Sequence, residues 1–104
     1  MSYNLIISDS AQNEIENAVD YVAIKLNNPG AAESILADIK DIYNEIQYMP
    51  ESLPLCSAPL LFRNEFRKAL LKKHNYVFIF RIDGETVKIY GFFHTLENYI
   101  EKIL

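Results

Sequence analysis

The sequence contains very few of the residues from which disulfides and metal sites are built. Of its 104 residues one is cysteine, Cys56, and two are histidine. A single cysteine excludes an intrachain disulfide, and no His or Cys pair stands at the spacing of metal ligands. A Gly-rich phosphate loop, a nucleophile elbow and a Ser/His/Asp set are also missing. We therefore expect neither a metal nor a cofactor.

Long apolar runs are absent as well. No run approaches the ~20 residues of a membrane span, and the N-terminus lacks a charged region followed by an apolar stretch. With 50% hydrophobic and 23% charged residues, the composition is that of a globular protein. The length is near the common domain size. We expect a single domain, residues 1–104, that stays in the cytoplasm and makes no membrane contact.

The charge is divided unequally between the two halves of the chain. The net charge of −4 argues against a nucleic-acid binder, which needs a positive surface. Residues 1–52 hold nine acidic and two basic residues, a balance of −7, whereas residues 53–104 hold five acidic and eight basic residues, a balance of +3. Such asymmetry indicates an anionic partner for the second half. The alternative is that the acidic residues simply form solvated helix faces.

Residues 9–49 show the periodicity of two helices after a short first strand at 3–8. Asp9 and Ser10 can cap the first helix, and Asn27 can end it in the left-handed conformation. Asn28 and Pro29 begin the second helix at once, which predicts an antiparallel helical hairpin. Apolar residues at spacings of three and four indicate the buried faces: Ala11, Ile15, Ala18, Val19, Val22 and Leu26, then Ala32, Ile35, Leu36, Ile39, Ile42, Tyr43 and Ile46.

The second half of the chain has the pattern of strands. Three prolines in residues 50–62 indicate an irregular loop, and strands are predicted at 66–71, 76–82 and 87–93. Asp83-Gly84 is a strong signal for a tight hairpin turn. Thr95 can cap a last short helix with Leu96, Tyr99, Ile100 and Ile103 on its apolar side. The order βααβββα predicts an α+β fold, with the helical hairpin packed on a small twisted antiparallel sheet.

Alternation along the strands, taken without bulges, sorts the sheet residues onto two faces. The more apolar set is expected against the helices: Ala69, Leu71, Phe78, Phe80, Val87, Ile89 and Phe93. The other set forms an open, basic and aromatic face: Lys68, Lys72, Arg81, Lys88, Tyr90 and His94. Cations and rings on one face suit an RNA or an acidic peptide. The alternative is that these cations do no more than solvate the exposed side of the sheet.

The two histidines and Tyr99 differ in their expected roles. His94 at a strand end is a candidate general acid or base, or it caps the last helix. His74 lies in a turn and is expected to be solvated. Tyr99 lies on the apolar side of the last helix, which favours core packing.

The arrangement of these residues resembles RelE/ParE-type toxins over essentially the whole chain. The matching segments are Ser8-x-x-Ala11 with Tyr21 ten residues later, Phe66-Arg67-Lys68, Asn75 through Phe80, and Val87 through His94. The resemblance implies the toxin of a bacterial type II toxin–antitoxin module, bound by a cognate antitoxin in a hetero-oligomer. Two activities occur on this fold. RelE-like members cut mRNA in the ribosome without a metal, whereas ParE-like members poison DNA gyrase without hydrolysing anything.

The resemblance also assigns roles to residues. For the nuclease branch it implies that Lys68 stabilises the phosphate, that His94 moves a proton, and that Tyr99 matches a tyrosine of the C-terminal tail. Beyond the resemblance, we expect Arg81, which is predicted on the same face, to act as a further catalytic cation. The predicted contacts to RNA or to an acidic partner are Arg67, Lys72, Lys88 and Tyr90.

The match to the nuclease branch is incomplete. Val77 stands where nuclease members have arginine, and Leu70 replaces a second lysine. Each cation aimed at the transition state is worth several kcal/mol of barrier, so their loss predicts slow cleavage. Three hypotheses follow: a ribosome-dependent endoribonuclease, which we expect first, a gyrase inhibitor, or a non-toxic binding module on the same fold.

Overall fold

The elements follow one another in the predicted order. The computed structural model describes residues 2–103, so the predicted domain bounds at residues 1 and 104 lie outside the described residues. Strand β1 (Asn4–Ile7) leads into helix α1 (Asp9–Asp20) and then α2 (Pro29–Tyr48). After a loop that contains a 3-10 turn (Pro50–Ser52) and α3 (Pro59–Arg63) come the remaining elements. They are β2 (Arg67–Leu70), β3 (Tyr76–Asp83), β4 (Thr86–His94) and α4 (Ile100–Ile103).

The helical hairpin forms as predicted, with local differences at its ends. Ser8, not Asp9 or Ser10, caps α1, because its Oγ accepts a hydrogen bond from Ala11 N–H at 3.1 Å. Helix α1 continues as a π-helical turn, Tyr21–Lys25. Asn27 then takes a positive φ of 48°, and the Asn28 side chain caps α2 by accepting from Ala31 N–H.

The four strands form one sheet in the order β1-β4-β3-β2. Neighbouring strands are antiparallel except that β1 runs parallel to β4. The parallel pairing follows from α1 and α2, which carry the chain back over the sheet before it reaches β2. Gly84, at φ +60°, makes the predicted turn between β3 and β4.

Two apolar clusters lie on opposite sides of this sheet. The larger one joins α1 and α2 to the sheet through residues such as Ile15, Ile42, Phe78 and Phe80. The smaller one lies on the face predicted to be open, and its buried members are Cys56, Leu61, Phe66, Val77, Ile79 and Phe93. The loop with α3 and the C-terminal segment therefore cover part of that face, and the last helix starts only at Ile100.

Two leucines depart from the predicted helix faces. Leu26 and Leu36 are 56% and 47% exposed, although both were placed on buried stripes. Leu26 follows the π-helical turn, which changes the number of residues per turn and so rotates the residues after it. None of the described helices is long and apolar enough to span a membrane.

Candidate functional site

A β-bulge at Tyr90 determines which face each side chain of β4 reaches. Ile79 pairs with Gly91 and Phe80 pairs with Ile89, so Tyr90 is an extra residue in β4. The alternation of side chains between the two faces of the sheet is therefore shifted by one residue after the bulge. Val87, Ile89 and Phe92 face the helices, whereas Phe93 packs in the smaller cluster. The predicted placement of Phe93 against the helices is wrong for this reason.

The bulge also moves His94 off the predicted open face. His94 follows Phe93 and lies on the helix side, where its ring contacts Tyr76 edge-on with centroids 5.4 Å apart. The four-stranded sheet thus separates His94 from the cations of β2, β3 and β4. The sequence prediction of one face holding both His94 and these cations is wrong.

The other face carries a basic–aromatic surface, which we define as Lys68, Arg81, Lys88 and Tyr90 together with the Phe66 ring, which is itself buried. The Phe66 and Tyr90 rings meet edge to face, with centroids 5.1 Å apart. Arg81 Cζ lies 5.4 Å from the centre of the Phe66 ring, and Lys88 Nζ lies 5.0 Å from the centre of the Tyr90 ring. The three cations are half-buried. The ring contacts help to hold Arg81 and Lys88 in place.

The basic–aromatic surface has a shallow cavity beside it. Ile6, Asp83 and Thr86 join Arg81, Lys88 and Tyr90 around a volume of about 310 Å³. Asp83 is the acidic member of this group. The cavity suits a carboxylate or a phosphate better than a neutral ligand, because two cations and one carboxylate line it.

His94 lines a separate hollow between α1 and the end of the sheet. We call it the His94 pocket. It has a volume of about 410 Å³, and its walls are formed by Glu14, Asn17, Ala18, Tyr21, Tyr76, Phe92, His94, Glu97 and Lys102. His94 Nδ1 accepts a hydrogen bond from Leu96 N–H at 3.2 Å. That bond requires the neutral ring with its proton on Nε2.

Sequence reasoning missed the three charged residues of this pocket, Glu14, Glu97 and Lys102, of which Glu14 lies on α1. Burial raises the pKa of the Glu14 carboxyl, and the nearby Glu97 adds to the effect, while Phe92 N–H and Lys102 oppose it. Lys102 is ion-paired with Glu97. A sequence signal existed, since Glu14 stands three residues after the buried Ala11 and next to the buried Ile15.

Two predicted binding residues make structural contacts outside the basic–aromatic surface. Lys72 lies beyond the end of β2 and forms an ion pair with Glu45 of α2 at 3.3 Å, so its predicted place on the open face is wrong. Arg67 points toward the preceding loop, where its Nη1 donates to the Leu53 carbonyl at 2.6 Å.

Asp38 was also missed, and it fixes the turn that contains His74. It is buried at 3% exposure and accepts hydrogen bonds from Lys72 N–H, Lys73 N–H and His74 Nδ1 at 3.1, 2.8 and 2.9 Å. Burial alone would raise the pKa of Asp38, but the bonds from His74 and the two amides outweigh it and lower the pKa. His74 is therefore half-buried and not solvated as expected.

Tyr99 packs on the sheet as predicted. Its ring stacks on Phe93, with centroids 5.5 Å apart and planes 16° from parallel, and burial raises the pKa of its hydroxyl. It lies on the side of the basic–aromatic surface and not with His94. Of the two positions that depart from the nuclease pattern, Val77 is buried in the smaller cluster and Leu70 is 54% exposed.

Comparison with known proteins identifies the family. The family model described as "ParE toxin of type II toxin-antitoxin system, parDE" matches residues 5–99. Among solved structures, a chain of the chromosomal ParDE toxin–antitoxin system of P. aeruginosa superposes with a TM-score of 0.71. The two are 17% identical over 88% of this chain and 95% of that chain, a likeness of fold. A search of curated proteins gave no match. The chain belongs to the ParE toxins of type II toxin–antitoxin systems.

Proposed function

We propose that this ParE toxin arrests growth by binding DNA gyrase and that it hydrolyses nothing itself. The observation that carries the proposal is the bulge at Tyr90, which places His94 across the sheet from Lys68 and Arg81. A general acid must reach the same reacting group that the cations stabilise. His94 and these cations face opposite sides of the sheet, which supports an activity other than cleavage by this set.

We assign the contact with gyrase to the basic–aromatic surface. Arg81 and Lys88 are directly paired across β3 and β4, and each lies over a ring of the same surface. Such fixed cations and rings are typical anchors in protein interfaces. An acidic patch on the enzyme, or the DNA that it holds, has the complementary charge.

The same surface explains how a ParD antitoxin would neutralise the toxin. An antitoxin tail that folds on binding can cover a large area, and acidic residues in it would match Lys68, Arg81 and Lys88. The antitoxin and gyrase would then compete for one face. This arrangement makes inhibition reversible without any change in the fold.

A supercoiling assay with purified components tests the proposal. Relaxed plasmid, ATP and gyrase are incubated with increasing toxin, and we expect supercoiling to be lost. The double variant Arg81→Ala/Lys88→Ala should need at least about tenfold more protein, because each truncation removes a central anchor. Lys40→Ala is the matched control, since Lys40 is exposed on α2. Full supercoiling at every wild-type concentration would contradict the proposal.

RNA cleavage is the second candidate, and one observation favours it. Lys68, Arg81 and Tyr99 lie on the same side of the sheet, so Tyr99 could replace His94 as the proton donor. The raised pKa of Tyr99 opposes this role near neutral pH, where a well-matched donor has a lower pKa. Codon-phased mRNA ends that disappear with Tyr99→Phe would support cleavage. Harmless expression would instead support the non-toxic binding module.

A further inference from the structure

The His94 pocket holds one carboxylate, Glu14, that forms no ion pair among the described residues, although Lys102 lies near enough to act on it. Its charged walls are Glu14, Glu97 and Lys102, two acids and one base, for a balance of −1 with His94 neutral. Lys102 is ion-paired with Glu97. Among residues 2–103, no ion pair reaches Glu14, and it accepts one long hydrogen bond, from Phe92 N–H at 3.3 Å. One further positive charge, supplied by a ligand, would balance the charge of the pocket.

The shape of the pocket favours a flat cation. The partly exposed Tyr76 ring lines the pocket together with Tyr21. The Phe92 ring, which is 2% exposed, supports Tyr76 from behind, with centroids 4.9 Å apart and planes 8° from parallel. A guanidinium group can stack on such rings and still direct its N–H fork at a carboxylate. A lysine ammonium is more strongly hydrated and lacks the plane.

The surroundings of the pocket point to a polypeptide ligand. Tyr21 at its edge is 55% exposed, Ile24 on the same π-helical turn is 74% exposed, and Leu96 beside His94 is 89% exposed. Large exposed apolar side chains around a polar hollow are typical of a protein interface. A partner segment that covers them would carry its anchor residue into the pocket.

We propose that the His94 pocket binds the guanidinium group of an arginine side chain from a partner polypeptide. The N–H fork of the guanidinium donates to the Glu14 carboxylate, and the Asn17 side-chain oxygen offers a further acceptor. The guanidinium plane lies against the aromatic side of the pocket. The neutral His94 ring adds no opposing charge, because its Nδ1 is an acceptor. This site lies on the opposite side of the sheet from the basic–aromatic surface and does not depend on which target the toxin inhibits.

NMR titration of the ¹⁵N-labelled full chain tests the site. The probe is Nα-acetyl-arginine amide, and the matched compound is Nα-acetyl-citrulline amide, which has a similar shape without the charge. We expect saturable shifts of the Phe92 and Leu96 amides with the arginine compound only. Glu14→Gln keeps an acceptor for Phe92 N–H and should weaken binding at least about tenfold. Glu16→Gln, exposed on the same helix, should bind like the wild type.

Three results would overturn the proposal: no shift in the pocket with the arginine compound, equal shifts with both compounds, or unchanged affinity in Glu14→Gln. If Glu14→Gln does not fold, the comparison of the two compounds on the wild-type protein still tests whether the pocket binds a guanidinium group. A failed supercoiling assay would leave this titration unaffected, so the two proposals can fail separately.

Discussion

Replacing Asp38 tests how strongly α2 holds the turn between β2 and β3. The Asp38 carboxylate accepts bonds from two backbone amides and from the His74 ring. In Asp38→Ala all three partners lose their acceptor at once. We expect α2 and the sheet to lose a fixed contact at the end of β2, without a change of fold.

The magnitude follows from the number and the kind of these bonds. A hydrogen bond to a charged group contributes about 1.5–3 kcal/mol. Lys72 and Lys73 are exposed, so water can replace part of what their amides lose. We therefore expect Asp38→Ala to lower the free energy of unfolding by about 2–4 kcal/mol, a large share of the roughly 5–15 kcal/mol of a domain. With a urea slope near 1.5 kcal/mol/M, the midpoint should fall by about 1–3 M.

Urea denaturation followed by circular dichroism measures this effect, with Asp41→Ala on the exposed side of α2 as control. The pH dependence adds a second test. The folded pKa of Asp38 lies below its ordinary value. Its contribution is therefore complete above the ordinary carboxyl pKa and is lost as pH falls through the folded pKa. Equal midpoints for Asp38→Ala and Asp41→Ala, or a difference that does not shrink in acid, would refute the reasoning.

Three further predictions concern the bulge, the thiol and the pocket. In Gly91→Ala the new Cβ would meet the Phe93 ring at 2.3 Å, so the free energy of unfolding should fall by about 1–3 kcal/mol. An unchanged urea midpoint would exclude the close packing of the Phe93 ring on Gly91. Cys56 is buried and burial raises its pKa, so iodoacetamide should label the native protein at least about tenfold more slowly than the unfolded chain; equal rates would contradict it. Glu14→Gln should stabilise the protein at pH 7 by a few tenths of a kcal/mol. The gain should fade as pH falls through the raised folded pKa of Glu14 and be absent below the ordinary carboxyl pKa; no difference from Glu16→Gln in urea would argue against it.

Local patterns in the sequence were sufficient to predict most of the fold. The hairpin follows from apolar spacing and from Asn28-Pro29, because a cap and a proline define where α2 begins. The turn at Asp83-Gly84 follows from the need for a positive φ. These features depend on residues close in sequence. The family resemblance depended on their order and is confirmed by the family match.

The site was harder to predict because one residue changes the outcome. Alternation across residues 87–94 is consistent with an unbroken strand, yet the extra Tyr90 reverses the faces of Phe93 and His94. The available signal was Gly91, since a lone glycine inside a strand often marks a bulge. The Phe93 ring packs where a Cβ of residue 91 would stand, and that contact is invisible to a pattern of alternation.

Contacts between distant segments were beyond the sequence patterns altogether. Asp38 meets residues more than thirty positions away, and Glu14 accepts a hydrogen bond from Phe92 N–H across the interface of α1 and β4. Both carboxylates lie on helices among other acidic residues, so composition alone could not separate them. Only the packing of the helices on the sheet gives them their distinct environments.

The central claim is that this ParE toxin acts on gyrase and does not cut RNA. The most direct measurement takes plasmid topology and mRNA 5′ ends from the same culture after induced expression. We predict relaxed plasmid with intact mRNA, an effect that Arg81→Ala/Lys88→Ala abolishes and Lys40→Ala leaves in place. Codon-phased mRNA ends with normally supercoiled plasmid would contradict the account.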